Sequence, residues 1–232
     1  MVLNHISNVL RQAKTTFTSN SDMFRFNLDI LKHLLDKTTA SDVNLHPQFM
    51  TETFWRKPDK APVTYIGIYE SDLLTMGIFI LSPHMKLPLH DHPQMYGLIK
   101  VLAGKIKVTS FSMNEDPNVV YTSESPVAFT AEKHPDEVMD TSSQTCILDP
   151  KQRNIHEIES VDGPAAFLDI LSPPYCSHDN PSNSRKCTYF KVLEYLSGKL
   201  FRLKEMRPPS WYWNDVYIYE GPQIMHLKSF VQ

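Results

Sequence analysis

The chain has 232 residues, 41% hydrophobic and 21% charged, an ordinary globular composition with enough length to bury a sizeable core. Its formal charge of −3, from 23 basic and 26 acidic residues, offers no basic field to a phosphate backbone, so no nucleic-acid partner is expected. No apolar run approaches the ~20 residues of a membrane helix, so no membrane partner is expected either.

The N-terminal stretch MVLNHISNVLRQAKTTF lacks a charged region followed by an apolar one, which argues against a secretory signal. Cys146, Cys176 and Cys187 form no CxxC pair and suit a reducing compartment. The expected address is cytoplasmic, with the nucleus as a second compartment, and the expected state is a monomer. A structural zinc cluster built on thiolates is excluded. Seventeen prolines against seven glycines imply loops of fixed φ.

Residues 1–45 are predicted to be helical. Phe24, Leu28, Leu31, Leu34 and Leu35 recur at helical spacing, and Ser21 or Asp22 is placed to cap that helix. No row of Lys and Arg lines its polar face, so it is expected to pack on a core rather than on a membrane. From Val63 the pattern changes to short runs rich in β-branched and aromatic residues: 63–69, 73–81, 98–108, 127–131, 145–149 and 165–171. Such runs, broken by Pro, Asp, Asn and Ser, predict an all-β sandwich or barrel. Leu98–Val108 is predicted to be a hairpin turning at Ala103-Gly104. Residues 187–196 give a further strand-like run, and the aromatic tail RPPSWYWNDVYIYEGPQ is expected to close over the barrel. No domain boundary stands out, so one domain over 1–232 is expected.

His90-Asp91-His92 is the chemical centre of the chain. In a strand, alternate side chains share a face, so His90 and His92 project together while Asp91 points away. Neutral imidazole is the commonest metal-binding side chain, and a pair on one strand is aimed at one ion. The third candidate is His156, which follows a polar turn and enters an alternating apolar segment, although a strand histidine with satisfied hydrogen bonds fits the same context. His5, His33, His46, His84, His134, His178 and His226 lack such a context and are expected on the surface or in loops.

Pro88–Gly104 resembles the first cupin motif, in which an HxH is followed by a glutamate ligand and then by a glycine. Here the spacing is His92-x4-Gly97-x6-Gly104, and the glutamate slot holds Gly97. That departure resembles the thiol dioxygenases, in the branch containing cysteamine (2-aminoethanethiol) dioxygenase and the plant cysteine oxidases. CILDPKQRNIHEI and GPAAFLDILSPPY carry the same likeness, which spans about residues 20–222.

The resemblance implies a cupin barrel, a double-stranded β-helix with N-terminal helices. It implies Fe(2+) held by His90, His92 and His156, with Asp169 and Tyr175 lining the substrate pocket. It implies O2 as co-substrate, and cysteamine or N-terminal-cysteine peptides as the thiol, oxidised to a sulfinic acid in a role open to oxygen sensing. Cys187-Thr-Tyr189 matches a Cys-x-Tyr of animal members and marks a place for a thioether crosslink. Gln94 stands where the family has Gly, and a side chain there is expected to narrow the site mouth or to change the loop geometry.

Alternation in AAFLDIL independently puts Phe167, Asp169 and Leu171 on one face. A buried carboxylate costs several kcal/mol, roughly, unless it finds a partner. Asp169 is therefore expected to meet a ligand histidine, a tyrosine hydroxyl or a substrate amine, or else to lie at an exposed edge. The rival functions are a non-catalytic metal-binding cupin and a zinc cupin of the isomerase type. The intact histidine set opposes the first, and the missing acid ligand opposes the second.

Overall fold

The computed structural model describes residues 4–113, 128–175 and 185–224. Cys176, His178 and His226, read above as an ordinary cysteine and as surface or loop histidines, lie outside the described residues.

Two amphipathic helices open the chain, α1 (His5–Thr18) and α2 (Ser21–Asp36). Each begins at an asparagine cap: Asn4 Oδ1 accepts from the Ser7 N–H at 2.9 Å, and Asn20 Oδ1 from that of Met23 at 3.1 Å. The cap of α2 is thus Asn20, not Ser21 or Asp22. Those two fall in the first turn, where the Asp22 carboxylate complements the helix dipole. Short 3-10 turns at Ala40–Val43 and Pro47–Met50 and a single helical turn, α3 (Glu52–Trp55), lead to the sheet.

The strands are β1 (Val63–Glu70), β2 (Thr75–Leu81), β3 (Lys86–Asp91), β4 (Tyr96–Met113), β5 (Ala128–Lys133) and β6 (Glu137–Asp140). They continue with β7 (Cys146–Leu148), β8 (Ile155–Ser172), β9 (Tyr189–Ser197), β10 (Leu200–Met206) and β11 (Asn214–Tyr217). β4 and β8 are 18 residues each and pair antiparallel along their length. The predicted hairpin at 98–108 is therefore a correction: both halves lie on one continuous strand. Gly104 does adopt a left-handed φ of 69°, but it sits between register shifts in β4, where a Cβ would stand 2.2 Å from the Pro164 carbonyl oxygen. It makes a bulge that bends the strand, not a turn that reverses it.

The bend lets each long strand serve two neighbourhoods. The N-terminal half of β8 lies between β3 and β4, and its C-terminal half lies between β2 and β4. The pairing order β8-β3-β9-β10-β5-β4 then returns to β8 and closes a barrel. The fold is mainly β with N-terminal helices, as the sequence predicts.

Ile6, Val9, Leu10, Ala13, Leu31 and Leu35 of the helices bury themselves against Ile78, Leu98, Leu102, Leu168 and Ile170 of the sheet. The aromatic tail closes on the barrel as expected. β11 adds parallel to the edge strand β1, pairing Val63 with Asn214 through Ile66 with Tyr217. Lys60 pins it: the ammonium meets the Asp215 carboxylate, stands 4.4 Å above the Phe54 ring and 5.1 Å from that of Tyr217, and is nearly buried.

Candidate metal centre and its cavity

β3 delivers His90, and His92 follows immediately beyond the strand end; both are buried while Asp91 is only partly so. β8 delivers His156 directly across the ladder from His90. His90 and His92 therefore project together, their ring centroids 4.8 Å apart, and the sheet register supplies the third imidazole. The three ligand atoms lie within 4.8 Å of one another, and His92 Nε2 is 2.9 Å from His156 Nε2. Two nitrogens each about 2.1 Å from one ion, at right angles, stand about 3.0 Å apart, so the separation fits a shared metal.

Hydrogen bonds set the tautomers. The Pro88 carbonyl can only accept, so His90 carries its proton on Nδ1 and donates it there at 2.7 Å. Tyr175 donates to the Asp91 carbonyl at 2.6 Å, so its hydroxyl accepts from His92 Nδ1 at 2.8 Å. Both rings thus turn an unprotonated Nε2 toward the centre, a second set of contacts typical of metal-binding histidines. Burial pushes the His90 pKa down to about 4 and those of His92 and His156 well below the usual value. Neutral lone pairs are the form a metal needs. Asn154, unnoticed in the sequence, clamps the His92 backbone: its Oδ1 accepts from the His92 N–H at 3.2 Å and its Nδ2 donates to the His92 carbonyl at 2.7 Å.

Gly97, at the vacant acid slot, has no room for a side chain. A Cβ there would stand 2.9 Å from Cγ of buried Leu148 on β7. Among the described residues only His90, His92 and His156 gather as a metal-binding group.

Beside His90 opens a cavity of about 420 Å³ whose wall includes Asp169, Tyr175, Cys187, Tyr189 and Tyr212. Asp169 is 9% exposed, which rules out the solvent-edge position. Both faces of its strand are covered, since Leu168 and Ile170 are buried as well. Asp169 and Leu171 line the cavity, whereas Phe167 stacks on Phe79, ring centroids 5.6 Å apart, in the adjoining core. No described residue donates a hydrogen bond to Asp169, and burial alone raises its pKa to about 7.

Cys187 is a free thiol beside Tyr175 and Tyr189 on the cavity wall, and burial pushes it up to about 11. Tyr189 in turn contacts Tyr212, whose place on the wall the sequence signalled only as one member of an aromatic run. Gln94 does not narrow the mouth of this cavity, whose wall lacks it. It sits exposed in a turn with φ 58° and lines a separate depression with Pro93, Lys151 and Asn154, away from the metal cavity. The turn sends its side chain outward while the next residue, Met95, is buried.

The 2-aminoethanethiol dioxygenase of Mus musculus is 34% identical over 215 residues, covering 84% of this chain and 82% of that protein. Its Homo sapiens counterpart is also 34% identical, covering 86% of this chain and 76% of that one. Plant cysteine oxidase 1 of Arabidopsis thaliana is 31% identical over 174 residues, covering 73% of this chain and 56% of that protein. The family model PCO_ADO matches residues 34–224, the span that holds all three histidines and the cavity wall, and the chain belongs to that family.

Proposed function

We propose that this protein is a non-haem thiol dioxygenase in which His90, His92 and His156 hold Fe(II). It inserts both atoms of O2 into the sulfur of cysteamine or of an N-terminal cysteine, giving a sulfinic acid. The observation that carries the reading is a trio of buried imidazoles, one of which, His90, lines a cavity shared with Asp169, a carboxylate without a hydrogen-bond partner among the described residues. When bound, the ferrous ion supplies positions at which a thiol, as its thiolate, and dioxygen meet.

The chain's own residues do the rest. Asp169 accepts the N–H groups of the substrate amine, and the incoming positive charge favours its ionised form. Tyr175 holds the His92 ring through Nδ1 and stands on the cavity wall. The aromatic wall excludes water from the reacting thiol. Both relatives named above as dioxygenases and the oxidase lend the substrate its chemistry: an amine beside a thiol.

A Cys187–Tyr189 thioether belongs to the same reading, supported by the contact between the two side chains. Forming it joins sulfur to the ring and removes two hydrogens with O2 as oxidant, and intact mass reports that loss. The zinc isomerase alternative lacks an acid ligand at Gly97, and among the described residues no Lys or Arg lines the cavity to grip a phosphate. The test is anaerobic reconstitution with Fe(II), then exposure to O2 with cysteamine or a Cys-initiated peptide. The expected product carries two added oxygen atoms; no oxygen gain on either substrate refutes the assignment.

A further inference from the structure

Cysteamine has four non-hydrogen atoms and, at about 30 Å³ per water-sized group, fills no more than about a third of the cavity. The cavity's volume is about 420 Å³. What occupies the remainder is indicated by a β-bulge in β1. Thr75, Gly77 and Phe79 of β2 face the cavity, and Gly77 pairs with Gly67. Strict alternation from Tyr65 and Gly67 would next turn Tyr69 inward.

Instead one extra residue intervenes between Gly67 and Tyr69, so Glu70 lies opposite Thr75 and joins the cavity wall. Bulges re-aim side chains in this way. Glu70 is exposed at the mouth and makes no ion pair among the described residues, while Asp169 lies buried and unpartnered below. Among the described residues, no lysine or arginine lines the space between them.

The register gives their separation. Glu70 pairs with Thr75 and Thr75 with Leu171, two residues along β8 from Asp169, itself opposite Gly77. Two strand spacings of about 4.8 Å and two residue rises of about 3.3 Å put the two Cα atoms about 12 Å apart. A Cys-Lys N-terminus spans a similar length: about 3.8 Å between its Cα atoms plus a lysine stem of about 6 Å made from bonds of about 1.5 Å.

We propose that Glu70 is a specificity-determining residue, selecting N-terminal cysteines followed by a basic residue. The α-amino group sits at Asp169 and the second side chain reaches Glu70. This rests on the thiol dioxygenase reading above.

The test uses three otherwise identical peptides with Lys, Gln or Glu after the N-terminal Cys, offered to the iron-loaded protein. Oxygen insertion is followed by mass spectrometry. An exposed ion pair changes an equilibrium by about two- to fivefold, so kcat/KM is expected to fall by that factor from Lys to Gln and again from Gln to Glu. Glu70→Gln is expected to bring the Lys-to-Glu ratio toward one, and Glu70→Lys to invert it. A salt concentration near 1 M compresses the ratio in the native protein.

Calorimetric Kd values for the same peptides, measured without metal and without oxygen, are expected to follow the same order. An order unchanged in Glu70→Lys overturns the proposal, as does turnover of cysteamine with no peptide turned over. Oxygen gain on neither substrate refutes the dioxygenase reading instead, and the calorimetric order then decides the role of Glu70 alone.

Discussion

Tyr175 has one hydroxyl proton and spends it on the Asp91 carbonyl, which leaves the oxygen free to accept from His92. Tyr175→Phe removes both contacts and frees the His92 ring to take the other tautomer. Losing such an outer partner typically weakens metal affinity about 10–100-fold. Iron titration of the variant is expected to show a loss in that range with the fold intact, and native affinity would assign Tyr175 to packing alone.

Gln94 tests the opposite kind of residue. A left-handed backbone costs an L-residue about 1–2 kcal/mol, while glycine returns about 0.5–1 kcal/mol as chain entropy. Gln94→Gly is expected to be neutral to about 1 kcal/mol stabilising in urea unfolding, and Gln94→Val clearly destabilising. The histidine pair and Asp169 were legible in sequence because strand alternation converts spacing into facing. Gln94 was not, because a residue pattern does not reveal which way a left-handed turn throws its side chain.

At the scale of elements, β4 and β8 show where local reading fails. An Ala-Gly step between alternating apolar runs has the composition of a hairpin, and only pairing over 18 residues with another long strand distinguishes a bulge from a turn. The same non-local pairing sets His156 opposite His90, so the third ligand's place was readable only by resemblance or by chemical context. β6 and β10 left no signal strong enough to name them.

Gly97 states its constraint locally. The space a side chain would need is filled by Leu148, and overpacking a well-filled core costs about 1–3 kcal/mol. Gly97→Ala is expected to lower stability by that amount, read as a shifted urea midpoint with unchanged slope. β11 depends on Lys60, whose ammonium is held by Asp215 and by Thr64 Oγ1 at 2.7 Å. Lys60→Met removes hydrogen bonds to charged groups and leaves Asp215 without its cation, a loss of about 1–3 kcal/mol. Because Tyr212 and Asn214 sit at this strap and line the cavity, faster amide exchange in 214–217 is expected together with a raised KM. Faster exchange with native KM would detach the strap from substrate binding.

Across the whole molecule, the metal centre is also a rivet. His90 belongs to β3 and His156 to β8, and Tyr175 brings the segment after β8 onto His92. An ion gripped by all three imidazoles therefore ties together parts of the barrel that unfolding must separate. A ligand that binds only the folded state stabilises it by RT ln(1 + [L]/Kd), about 2.7 kcal/mol at a hundredfold excess over Kd. Anaerobic Fe(II) at that excess is expected to raise Tm by several degrees, and a chelator to reverse the rise. His156→Ala should lose the increment while keeping the barrel, since one imidazole is a small part of a core built from three apolar clusters. An undiminished rise in that variant would show that the stabilising ion sits elsewhere, and with it would fall the assignment of His156 as the ligand that joins the two strands.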